Sequence, residues 1–190
     1  MQKPKDFETA KAYGEYEPLP AGGYVCKIVG IVETKSKAGN SMIKIAVDIA
    51  EGDEKGRFEA AYKQNTSMDK KWPASATIYQ IVENKDGSTN GFFKAFTDTA
   101  VESNKGFEIQ WGEKFAECFK GKLIGILFGR EQYENREGKV VWGTKPKQGY
   151  KTVEDIRKGN FKVPEDKPMD GMPKSVPDGF GAIEDEDIPF

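Results

Sequence analysis

Between residues 42 and 50 the chain alternates without a break: Ile43, Ile45, Val47 and Ile49 fall on one parity, Lys44, Ala46, Asp48 and Ala50 on the other. Side chains of an extended strand point to opposite faces with a period of two, so this pattern fits a strand with one apolar face and does not fit a helix. A lone strand leaves its backbone polar groups unpaired and its apolar face wet, so it commits the chain to a sheet. Residues 24–32, Tyr24-Val25-Cys26-Lys27-Ile28-Val29-Gly30-Ile31-Val32, provide a first strand behind the turn signal Ala21-Gly22-Gly23, with Gly30 marking a bend or bulge. Residues 57–63 read as the third strand, Phe58 and Tyr62 sharing a face with Ala60 between them, and 78–82 as a short addition.

One helix interrupts the strands. Over 91–104, Phe92, Phe93, Phe96 and Ala100 recur at three- and four-residue spacing, Asn90 or Ser88 can cap the start, and Gly106 suits the exit. Its aromatics are expected to plug the core. Residues 122–128 and 140–145 then form a fourth and a fifth strand about a charged hairpin at 131–139, and 151–158 allow a turn of helix. Three strands, a helix and two more strands is the order of an OB-fold, a five-stranded, partly open barrel. The expected class is mainly β: an N-terminal arm at 1–20, an OB-fold barrel at 21–164 with one helix between strands 3 and 4, and a disordered acidic C-terminal tail at 165–190, where Pro, Gly and charge leave little to bury.

Charge divides the chain the same way. The 190 residues carry a formal −2, but from Glu165 onward eight acids face two lysines, a net −6 that leaves +4 on the remainder. A polyanion is drawn to such a body and repelled by such a tail. No apolar run approaches the ~20 residues of a membrane span and the start lacks a signal-peptide core, so the expected location is cytoplasmic, with no membrane partner. The solitary Cys26 and Cys118 suggest reduced thiols. Histidine is absent, which removes the commonest general base and metal ligand together, and no P-loop glycine pattern is present. Neither a cofactor nor a metal nor an enzymatic activity is expected.

The tail ends Glu184-Asp185-Glu186-Asp187-Ile188-Pro189-Phe190. Four adjacent carboxylates must stay solvated, whereas a terminal apolar tripeptide has no use in a merely solubilising extension. Proline lowers the entropy lost on docking, Phe190 fills a pocket, and the anions suit a basic rim. This ending resembles the C-terminal peptide of bacterial and phage single-stranded DNA-binding proteins, which recruits replication and repair partners. The body from 20 to 164, with its Gly-Gly-Tyr strand start, Lys-Lys-Trp-Pro loop and Gly-Phe-Phe-Lys helix start, also looks like phage-encoded members of that group. The resemblance implies non-specific binding of single-stranded DNA during replication, recombination or repair. It also implies capture of replication and recombination proteins by 184–190, with a homodimer allowed.

Such a site needs cations for phosphates and aromatic platforms for bases. Candidates are Lys35, Lys37 and Lys44 on the first turn and second strand, Arg57, Phe58, Tyr62 and Lys63 on the expected third strand, and Lys70, Lys71 and Trp72 in the loop behind it. Tyr133, Arg136, Lys139, Trp142 and Lys145 surround the last hairpin. A competing function class is a non-enzymatic DNA mimic or adaptor that captures basic partners through the acidic tail.

Overall fold

The alternating stretch forms β2 (Ser41–Ile49). The computed structural model describes residues 3, 18–135 and 137–169. Most of the expected arm at 1–20 and all of 184–190 therefore lie outside the described residues. β1 (Gly22–Lys35) pairs antiparallel with β2, and a register shift between Ile28 and Gly30 places the irregularity at the expected glycine. Among the described residues, five strands make one antiparallel sheet in the order β3-β2-β1-β4-β5.

One expected strand is a helix. Residues 57–63 belong to α1 (Arg57–Gln64), and the third strand is β3 (Thr77–Ile81), reached through a 3-10 turn at Ala74–Ala76. The spacing of Phe58 and Tyr62 was ambiguous, because four residues return to the same face in a helix as well as in a strand. Composition decides: Arg, Glu, Ala, Ala, Lys and Gln are helix formers, no β-branched residue is present, and Glu59 pairs with Lys63 one turn on (2.6 Å). Gly56 ahead of the helix offers no side-chain cap. Asp48 of β2 substitutes, its Oδ1 accepting from the Phe58 N–H (2.9 Å) and from its neighbour Ile49 N–H (2.9 Å).

The expected helix is α2 (Gly91–Ser103), and Asn90 does cap it, accepting from the N–H groups of Phe92 and Phe93. A short α3 (Phe115–Cys118) leads to β4 (Leu123–Glu134) and β5 (Val140–Lys151), both longer than the sequence suggested, and α4 (Val153–Lys158) follows. The registers place Cys26, Ile28, Val47, Ile49, Ile124, Ile126 and Phe128 on one face of the sheet. Against that face pack Phe96, stacked on Phe119 (5.1 Å), and Phe58, stacked on Phe128 (5.9 Å). Replacing such a fully buried Phe by Ala costs ~3–5 kcal/mol.

The sheet curls until its edges meet through side chains. The Tyr150 hydroxyl of β5 donates to Oε1 of Gln80 on β3 (3.2 Å), and the Ala74–Ala76 turn packs on β5. Among the described residues no ladder joins β3 to β5, so the architecture is a curled, mainly β, antiparallel open sheet with few helices rather than a closed barrel. No described helix is long and apolar enough to cross a membrane.

Candidate nucleic-acid interface

β4 outruns β1. Their ladder stops at Gly22↔Phe128, whereas β4 stays paired with β5 as far as Glu134↔Val140. Among the described residues, the far half of this hairpin therefore has no strand of the main sheet on the second side of β4. Its turn is held by Asn135, whose Oδ1 accepts from the N–H groups of Glu137 (3.0 Å) and Lys139 (2.9 Å), and by Gly138 at φ 75°, a conformation that favours glycine.

Strand parity gives the hairpin two chemically distinct faces. One presents Arg130, Gln132, Trp142 and Thr144, and the Arg130 guanidinium lies 4.8 Å from the centre of the Trp142 ring system. The indole ring attracts the guanidinium, an arrangement in which the guanidinium N–H groups can still donate to a phosphate. The opposite face presents Glu131, Tyr133 and Lys145. The Lys145 ammonium is 5.8 Å from the Tyr133 ring, which is exposed and lies over Gly143 so closely that a Cβ there would come within 2.6 Å of it.

Glu131 organises the cations on this second face. It accepts from Lys145 and Lys147, each at 2.7 Å. Partial burial works against its ionisation, but the two lysine hydrogen bonds outweigh burial and hold its carboxyl below the ordinary carboxylate range.

A second cluster lies in the segment before β3. Tyr62 packs on Trp72 (5.5 Å) and is covered by the Lys70 ammonium (4.8 Å), with Lys71 exposed nearby in sequence. The 3-10 turn that follows this segment packs on β5. Lys63 is exposed but engaged with Glu59, and the half-buried Arg57 pairs with Glu54.

Three candidates must be reassigned. Phe58 and Trp72 are core residues, 4% and 7% exposed, and the Trp72 indole N–H is spent on the Val47 carbonyl (3.1 Å). Lys44 is also buried, its ammonium 5.9 Å from the Tyr79 ring, so it cannot meet a phosphate at the surface. Lys35 and Lys37 are exposed at the β1–β2 turn, which leaves the β1–β4 ladder in the strand direction opposite to the β4–β5 turn. Lys139 is exposed and pairs with Glu137 (3.0 Å). Arg136 and the seven residues 184–190 lie outside the described residues.

Sequence reasoning missed Arg130 and Lys147 because it ended the fourth strand at 128 and the fifth at 145. The signal was the continued alternation Phe128, Arg130, Gln132 against Thr144 and Trp142. It also passed over Trp111, which is 67% exposed and stacks on Phe115 (5.4 Å). Among the described residues no group of three His, Cys, Asp or Glu side chains could hold a metal ion.

None of the curated proteins matches the chain. A family model described as "Protein of unknown function (DUF669)" matches residues 5–160, and the chain belongs to that family.

Proposed function

We propose that this protein binds single-stranded DNA without sequence specificity and without catalysing a reaction, in DNA replication, recombination or repair. The observation that carries the reading is the hairpin with a cation–aromatic pair on each face, Arg130 with Trp142 and Lys145 with Tyr133. Single strands differ from duplexes in exposing base faces beside phosphates, and a flat aromatic next to a cation answers both at once. The curled sheet is read as an OB-fold barrel, a fold whose loops between strands 1 and 2 and between strands 4 and 5 take oligonucleotides. Here the loop between strands 4 and 5 is 135–139, with Lys139, while the loop between strands 1 and 2, 36–40 with Lys37, leaves the β1–β4 ladder in the opposite strand direction. The 184–190 peptide is proposed to recruit replication and recombination proteins in the cytoplasm of the host cell.

The test is a titration of the full chain with oligo-dT, followed by tryptophan fluorescence at several salt concentrations. Expected is saturable quenching with log K falling against log salt at a slope of ~−0.7 per phosphate neutralised. A flat salt response, or tighter binding to duplex, overturns the reading. Phe190→Ala should leave this titration unchanged and lose the captured partners.

A further inference from the structure

Beyond α4 the chain doubles back onto the sheet. Phe161 lies over Gly23 and Pro164 over Gly129, positions where even a Cβ would collide. Residue 167 then forms a parallel rung with Glu131: the Gln132 N–H donates to the Lys167 carbonyl (2.9 Å) and the Lys167 N–H to the Arg130 carbonyl (3.0 Å). Met169 N–H donates to Oε1 of Gln132 (2.9 Å). This strap, 164–169, occupies the edge of β4 that β1 leaves open, and it carries Asp166 to Arg130, with Oδ2 3.4 Å from Nη1 and both side chains partly exposed.

Arg130 is thus shared. It lies over the Trp142 ring, and its Nη1 faces the Asp166 carboxylate. Carboxylate and phosphate ask for the same edge of a guanidinium, so the two cannot both be served at full strength. We infer that Asp166 is a built-in competitor for the phosphate position at Arg130, and that a bound single strand displaces it and loosens the 164–169 strap from the edge of β4. This inference rests on the hairpin being the DNA site.

The physical case is a balance of small terms. An exposed ion pair is worth no more than about a five-fold factor in equilibrium, so a phosphate delivered by a strand already stacked on the hairpin can exchange with it. Once Asp166 is released, it stands as a like charge beside the phosphate, and the short rung at 167 loses the contact that aligns it. The strap leads in sequence to residues 170–190, which contain the acidic run. Occupancy of Arg130 is thereby passed to the root of the tail.

The experiment compares wild type, Asp166→Asn, Arg130→Gln and the double variant in oligo-dT titrations, and adds amide hydrogen exchange of the wild type with and without saturating oligo-dT. Asp166→Asn is expected to bind about two- to five-fold more tightly, the gain vanishing in the Arg130→Gln background, and the Lys167 amide to exchange faster in the DNA-bound protein. Unchanged affinity for Asp166→Asn, a gain that survives without Arg130, or a Lys167 amide that exchanges no faster with DNA overturns the inference while leaving the DNA-binding reading intact. Wild type that fails to bind oligo-dT removes that reading and the inference with it.

Discussion

Trp72 and Trp142 entered as equal candidates for a base-stacking platform, and their surroundings now separate them. Trp72 is enclosed between Tyr62 and the backbone of β2 and has spent its N–H on Val47, so it has neither a free face nor a free donor. Trp142 is half-buried on the far half of the β4–β5 hairpin, past the end of the β1–β4 ladder, with a guanidinium over its ring. Trp72→Ala should therefore lower the unfolding free energy by ~3–5 kcal/mol and leave the oligo-dT affinity of the folded fraction unchanged. Trp142→Ala should do the reverse, weakening binding by ~1–3 kcal/mol with a small change in urea midpoint. The same logic separates the lysines: Lys44 sits inside the alternation of β2 and is buried with it, whereas Lys70 and Lys145 are exposed and rest against Tyr62 and Tyr133. Cys26 is equally a product of its surroundings, since burial first and the nearby Asp48 second push its thiol well up from the ordinary value.

Among the elements, α1 shows how a helix can depend on a residue ten positions away. Its first turn would leave backbone N–H groups unpaired, Gly56 contributes no side chain, and Asp48 on β2 accepts the Phe58 N–H from within the core. Asp48→Ala leaves that donor and the Ile49 N–H without their acceptor, at ~1–3 kcal/mol for each buried group. Asp48→Asn keeps an acceptor oxygen and should recover most of the loss. Urea denaturation of the two variants checks this, and equal destabilisation by both would point to the charge rather than to the hydrogen bonds. The hairpin makes the complementary point. Its two faces exist only because the register pairs Gln132 with Trp142 and Tyr133 with Val141, and a slip of one residue would exchange the two faces of β5.

At the scale of the whole molecule, electrostatics ties the stability of the hairpin to pH. Glu131 is held below the ordinary carboxylate range by Lys145 and Lys147, against the opposing effect of burial. A carboxyl whose folded pKa is depressed adds stability that is complete above its unfolded pKa, ~4.3 for Glu, and is lost as pH falls through the lower folded value. The unfolded chain takes up the proton first. The urea midpoint should therefore drop between pH 5 and pH 3, and Glu131→Gln should flatten part of that slope; an unchanged slope would show that the ion pairs carry no linkage. What the sequence alone determined about this protein was whatever a short window can encode: the alternation of β2, the glycine irregularity in β1, the Asn90 cap and buried face of α2, and the charge divide between body and tail. Each is local, set by side-chain parity, backbone sterics or solvation. The composition of 57–63 already favours a helix over a strand, and only the tertiary structure supplied an acceptor for its first turn, Asp48 on another strand. Only in the tertiary structure do Phe58 and Trp72 become core residues, since burial depends on what packs over a residue rather than on its neighbours in the chain. The meeting of Arg130, Trp142 and Asp166 was likewise invisible, because it joins residues from two strands and a returning strap whose sequence separation hides a contact of a few ångströms.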